Sequence, residues 1–223
     1  MTTNREVRSG KEAAVTNGYG KGSGFAAFLS AAFRSPREMG TAMPSGPHLA
    51  RRLAAVVPDG GRAERPPVVL EVGAGTGAIT GAIVARAGSN ATVIAVERDA
   101  KLADVLRSRD LGVDVVTADA DSAVAILAER GIKQVDAVVS ALPWTLLNQA
   151  RQHALLQVFG QVLRPEGAFT TACYSYALAV PAAQRFRREL AAVFEEVIPT
   201  RTVWRNPPPA MTYVCRRPLN SST

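Results

Sequence analysis

The chain has 223 residues, 47% of them hydrophobic and 20% charged, enough to bury one substantial core with no need for a second. A formal charge of +7 invites an anionic partner, yet Lys and Arg fall in ones and twos without a run, which reads as an ordinary basic surface and argues against nucleic acid. No apolar stretch approaches the roughly 20 residues that span a bilayer, and two cysteines in apolar surroundings with two histidines at no ligand spacing exclude a disulfide framework and a metal site.

Residues 1–24 contain Gly10, Gly18, Gly20, Gly22 and Gly24 among polar residues and are expected to form a flexible arm without the apolar core of a signal peptide. Phe25, Phe28, Leu29, Ala32 and Phe33 then follow the spacing of an amphipathic helix that Ser35-Pro36 ends. Ser45 is expected to cap a second helix carrying Pro47 in its first turn, with Leu49, Leu53 and Val56 as its stripe. The domain proper is expected over residues 25–218, with residues 25–57 as N-terminal helices or lid and 219–223 as a disordered tail.

From Val68 onward, apolar runs alternate with helical patterns. Val68-Val69-Leu70 stops at an acid and runs into Glu71-Val72-Gly73-Ala74-Gly75-Thr76-Gly77, a strand ending in a glycine turn where a ligand approaches bare backbone. Read literally, Gly73-x-Gly75-x-x-Ala78 also satisfies a dinucleotide fingerprint. Glu71 argues against it, because a carboxylate there repels a pyrophosphate but suits a ligand bearing an ammonium and a sulfonium. That ligand is S-adenosylmethionine. A second strand, Ala91 to Val96, ends at Glu97, placed to accept from ribose hydroxyls. A third, Val113 to Val116, leads to Asp119, a candidate for the adenine amino group and equally, with Asp121, a candidate helix cap. The fourth, Val135 to Ser140, ends in Ala141-Leu142-Pro143-Trp144 and faces the transferred methyl if the others hold the cofactor. A helix over about Leu147 to Leu163, a strand from Ala168 to Tyr174 and a helix from Ala182 to Phe194 follow. Thr200 to Trp204 and Met211 to Cys215 are expected to close the sheet as an antiparallel edge pair.

The order Glu71-x-Gly73-x-Gly75-x-Gly77, Glu97, Asp119-Ala120 and Asp136-Ala137-Val138-Val139-Ser140 resembles the class I S-adenosylmethionine-dependent methyltransferases over most of residues 66 to 216. The segments Phe33-Arg34-Ser35-Pro36, Gly40 to Ser45, Ser140 to Pro143 and Trp204-Arg205-Asn206-Pro207-Pro208-Pro209-Ala210 are similar to the bacterial phospholipid N-methyltransferase group, related in fold to ribosomal RNA adenine dimethylases and containing indole C3-methyltransferases of natural-product pathways. The resemblance implies an α/β, Rossmann-like fold: a seven-stranded, mostly parallel sheet with helices on both faces and an N-terminal helical lid. It implies a cofactor set of Glu71, Gly73, Gly75, Thr76, Gly77, Glu97, Asp119, Ala120 and Ser140.

The acceptor end is read from chemistry. Methyl transfer needs a neutral amine or an activated indole carbon, and hence a general base. His153 has a suitable intrinsic pKa, and Tyr19, an aromatic alone in the glycine arm, is expected to close over the substrate. Phe25, Trp144, Tyr174, Tyr176 and Trp204 are expected to line the pocket, the last four as an aromatic box. The acceptor expected is a soluble nitrogen-containing small molecule, with C3 of an indole as one form, in a cytoplasmic enzyme. The alternative is a phosphatidylethanolamine headgroup, with the Phe25 to Phe33 helix lying in an anionic membrane surface. RNA adenine N6 methylation is the weaker third, because Ser140 and Leu142 precede Pro143-Trp144 where that chemistry usually has Asn or Asp then Pro and an aromatic.

Overall fold

A computed structural model describes residues 45–175 and 181–219. The expectations placed on the arm with Tyr19, on the Phe25 to Phe33 helix and on Tyr176 lie outside them.

Seven strands form one sheet in the order β3-β2-β1-β4-β5-β7-β6. They are β1 (Val68–Val72), β2 (Thr92–Glu97), β3 (Asp114–Thr117), β4 (Val135–Ser140), β5 (Leu163–Tyr174), β6 (Phe194–Pro199) and β7 (Ala210–Pro218). The pairs from β3 through β5 are parallel, and β7 runs antiparallel to both β5 and β6. The helices are α1 (Pro47–Ala54), α2 (Thr80–Ala87), α3 (Ala100–Arg107), α4 (Ala123–Glu129), α5 (Gln149–Val162) and α6 (Pro181–Val193). Central strands covered on both faces are mostly apolar, and β4 is buried at all six positions, its Asp136 and Ser140 included.

Strand alternation sends side chains into two cores. On one face Leu70, Val72, Val138 and Phe169 pack with Leu155, Phe159, Phe186 and Leu190 of α5 and α6. On the other, Val69, Val93, Ala137 and Val139 meet Leu49 and Leu53 of α1 and Ile79 and Ile83 around the start of α2. Four aromatics tie the first core together: Trp144 stacks on Phe186 with centroids 4.7 Å apart, and its edge meets Phe159 and Phe169.

Three boundaries differ from the sequence reading. The edge strand is Phe194–Pro199, and Thr200 to Trp204 contributes only a bridge from Val203 to Ala210; Glu195 and Glu196 disguise the strand, yet an edge can carry them toward water, where both ion-pair with Arg217. The N-cap of α1 is Gly46 and not Ser45; it makes no side-chain cap bond, and its own N–H donates to Asn206 Oδ1 at 2.8 Å. Strand β5 begins at Leu163, passing through Pro165 and Gly167 across a register shift against β4.

Candidate cofactor and acceptor site

The strand order reverses direction between β1 and β4, and in parallel α/β sheets the crevice beyond the carboxyl ends of such strands is where ligands bind. The register puts Val72 opposite both Val96 and Ser140. Glu71, the glycine turn, Glu97 and Ser140 are therefore brought together at one end of the sheet.

The turn is built by its glycines. Gly73, Gly75 and Gly77 have φ of 73°, 57° and 86°, a region costly for other residues. Gly73 and Ala74 donate to Val96 O at 2.9 and 3.2 Å, folding the turn over the end of β2. Each glycine has a distinct reason to lack a side chain. A Cβ on Gly77 would lie 2.5 Å from Leu106 Cδ1, and one on Gly73 would lie 3.1 Å from Leu142 Cδ2. A Cβ on Gly75 would meet nothing within 4 Å: it would project into the cradle itself. Thr76 contributes its carbonyl, which accepts from Arg109 at 2.8 Å and so pins the turn to the end of α3.

The acids divide the work. Glu97 receives Gly75 N–H on one carboxylate oxygen and Asp99 N–H on the other, each at 2.8 Å. Each oxygen retains a further lone pair, so the geometry that orders the turn leaves room for hydroxyl donors. Glu71 is completely buried, and Thr80 donates to its Oε2 at 2.6 Å. Burial pushes its carboxyl up to about 8, with the neighbouring charge of Glu97 adding to the rise and the Thr80 bond opposing it. Its Oε1 is buried without a hydrogen-bond partner. An unmatched buried oxygen is costly, and one at the base of an open glycine cradle fits a ligand that brings an N–H donor.

Asp119 follows β3 at the N-cap position of a 3-10 turn but makes no cap bond. Arg151 of α5 bridges it and Asp121, donating at 2.6 and 2.7 Å. Ala120 is buried beside Ala123 and Ile126. Ser140 is buried, and its Oγ accepts from Leu142 N–H and Trp144 Nε1; its hydroxyl is engaged in shaping the Ala141-Leu142 segment that packs on Gly73.

Of the expected acceptor residues, those described are not brought together as one aromatic set. Trp144 is in the core on the α5 and α6 face, whereas Tyr174 packs against the opposite face of the sheet. Trp204 is 77% exposed. These three form no aromatic box, because successive residues of β5 point to opposite faces and Trp144 is drawn under the sheet by Phe159, Phe169 and Phe186. His153 lies half exposed on α5, with Nδ1 3.0 Å from Glu189 Oε2 on α6. That contact joins α5 to α6 in the first turns of α5, two residues beyond the Arg151 that bonds Asp119. Thr80, Arg109 and Arg151 support the turn and Asp119 and escaped the sequence reading, and Asn206 stood in the Trp204 to Ala210 segment without a role of its own. Only Thr80, a threonine opening a helix, carried even a generic signal.

Comparison with known proteins agrees with this geometry. Residues 69–167 match a family model described as a methyltransferase domain. The chain is 36% identical over 195 residues to an ornithine lipid N-methyltransferase of Singulisphaera acidiphila, spanning 86% of this chain and 95% of that one. The chain belongs to the class I S-adenosylmethionine-dependent methyltransferases. S-adenosylmethionine is thus its cofactor. The fold is shared with a TehB-like methyltransferase of Corynebacterium glutamicum (15% identity, TM-score 0.52, 87% of this chain and 98% of that one). It is shared also with human methyltransferase-like protein 13 in complex with SAH (20% identity, TM-score 0.56, 79% and 84%). Among the described residues of this methyltransferase, no group of side chains is arranged to hold a metal ion and no helix is long and apolar enough to cross a membrane.

Proposed function

We propose that this methyltransferase acts on the amine of a membrane aminolipid headgroup. The observation that carries the reading is the near full-length similarity to an ornithine lipid N-methyltransferase. It favours the lipid acceptor over the soluble small molecule expected from the sequence, and no feature of the site favours an indole. With no spanning helix among the described residues, contact with the bilayer would be peripheral. We place the enzyme on the cytoplasmic side, in keeping with two free, buried thiols that burial pushes up in pKa, Cys173 to about 11.

In this reading the turn from Gly73 to Gly77 and Glu97 hold the nucleoside, Asp119 and Ala120 border the adenine, and Glu71 Oε1 receives an ammonium N–H. S-adenosylmethionine, when bound, supplies a methyl group on a sulfonium. The chain's own contribution is positional: Glu97 holds Gly75 in place, Arg109 fixes Thr76, and Ser140 shapes the wall over Gly73, so that the acceptor meets a preorganised surface. The acceptor amine has to be neutral when it attacks, so turnover should rise with pH toward the amine's own pKa.

The test is incubation with labelled S-adenosylmethionine and, separately, phosphatidylethanolamine or ornithine lipid in mixed micelles and a set of soluble amines and indoles. Label in the headgroup of an aminolipid is the expected result. Label confined to the soluble acceptors overturns the reading.

A further inference from the structure

The segment between β6 and β7 displays an indole to solvent. Trp204 is 77% exposed, yet the residues around it are anchored. Val203 is buried and its N–H donates to Ala210 O at 2.7 Å. Asn206, 3% exposed, receives Gly46 N–H at 2.8 Å and donates to Pro208 O at 2.8 Å. Ser175 N–H holds Pro209 O at 2.9 Å. The indole is thus presented by a folded turn and is not left outside by a loose one.

Its place in the sheet adds meaning. Ala210, the first residue of β7, pairs with Tyr174, the last residue of β5, and β6 ends at Pro199 on the same side. The Trp204 turn therefore emerges at the end of the sheet that carries Glu71, the glycine turn and Glu97. Ile198, 47% exposed, adds apolar surface at the end of β6. Arg201 and Arg205 flank Trp204, both exposed and without a carboxylate partner among the described residues. From Val197 to Thr223 the sequence contains no Asp or Glu.

We propose that this turn docks the enzyme on an anionic bilayer, with the Trp204 ring at headgroup level and Arg201 and Arg205 on lipid phosphates. An indole prefers the boundary between water and hydrocarbon, and basic residues are drawn to an anionic surface. A lipid amine is tethered to its membrane by its acyl chains, so the end of the sheet that holds the methyl donor has to face the bilayer. The proposal rests on the aminolipid reading above and names the surface that serves it.

The experiment uses the full chain with phosphatidylcholine vesicles, with and without phosphatidylglycerol. The protein has two tryptophans, and Trp144 is buried, so brominated lipid should quench Trp204 selectively on anionic vesicles and lose that effect as salt is raised. Trp204→Ala should weaken vesicle binding about tenfold, and Arg201→Ala or Arg205→Ala about fivefold each. Turnover on vesicular aminolipid should fall in parallel, while turnover on short-chain aminolipid dispersed in detergent stays at the parental level. Parental binding by all three variants, or absence of quenching on anionic vesicles, overturns the docking surface and leaves the aminolipid reading standing. Failure of the parent to methylate aminolipid in either form removes the aminolipid reading itself, whatever the vesicles report.

Discussion

A carboxyl buried beside an open glycine turn makes Glu71 the residue whose titration reports on the site. With its folded pKa raised to about 8 against roughly 4.3 unfolded, the folded state holds the extra proton between those values. Its contribution to stability is full below the unfolded value and is lost as pH rises through about 8. Urea midpoints of the parent should therefore fall over that window, and Glu71→Gln should flatten the slope. If a ligand ammonium pairs with the ionised form, affinity for S-adenosylhomocysteine should increase with pH in the parent and not in the Gln variant, a comparison made by calorimetry. Two neighbouring glycines give a second contrast. Gly75→Ala adds a Cβ into open space at φ 57° and should cost only about 1 kcal/mol of stability while abolishing S-adenosylhomocysteine binding. Gly77→Ala drives a Cβ into Leu106 and should lose about 1–3 kcal/mol in urea unfolding as well. His153 faces Glu189 at the surface, so His153→Ala should leave the pH–rate profile unchanged; a loss of 100-fold or more, the usual scale for a general base, would restore the catalytic role expected from the sequence.

At the scale of elements, the clearest dependence is that of α1 on a residue 160 positions away. Asn206 holds Gly46 N–H, one of the donors that a helix start leaves without an internal partner. Asn206→Ala should therefore cost about 1–3 kcal/mol in urea unfolding and loosen the Trp204 turn, visible as altered tryptophan emission. The same scale explains where periodicity was legible. β1, β2 and β4 are mostly apolar because helices cover both faces, and such runs of Val, Ile, Leu and Ala stand out in any sequence. β6 was missed because an edge strand needs only one buried face, and Glu195 and Glu196, just past the expected helix end at Phe194, break the apolar run that marks a strand. The true start of β5 was hidden by Pro165 and Gly167, which usually mark a turn but here lie where the register against β4 shifts.

Across the whole molecule, the two ends of the sheet carry buried acids of opposite character. At the end away from the site, Asp136 is bound by Arg65, Arg164 and Val68 N–H. Burial alone would raise its pKa, but the Arg65 hydrogen bond, the Val68 amide and the two arginine charges together hold it below the ordinary carboxylate value. Its stabilisation is present above the unfolded value and is lost as pH falls through the folded one. Asp136→Ala leaves Val68 N–H without its acceptor, while the two partly exposed arginines can turn to water, and should cost about 1–3 kcal/mol in urea unfolding, with no change in the ratio of turnover between lipid and soluble acceptors. The sheet is thus tightened by charge at one end and kept receptive at the other. From the sequence by itself came the alternation of strands and helices, the glycine turn and the acids at three strand ends, because these rest on local periodicity and on backbone conformations that only glycine adopts readily; the class I fold came from the resemblance those motifs carry. Which side chains share a face was decided by tertiary structure alone. Trp144 went under the sheet, His153 outward to Glu189 and Trp204 into solvent, since strand alternation and the packing of distant helices, and not spacing along the chain, determine where a ring or a base points.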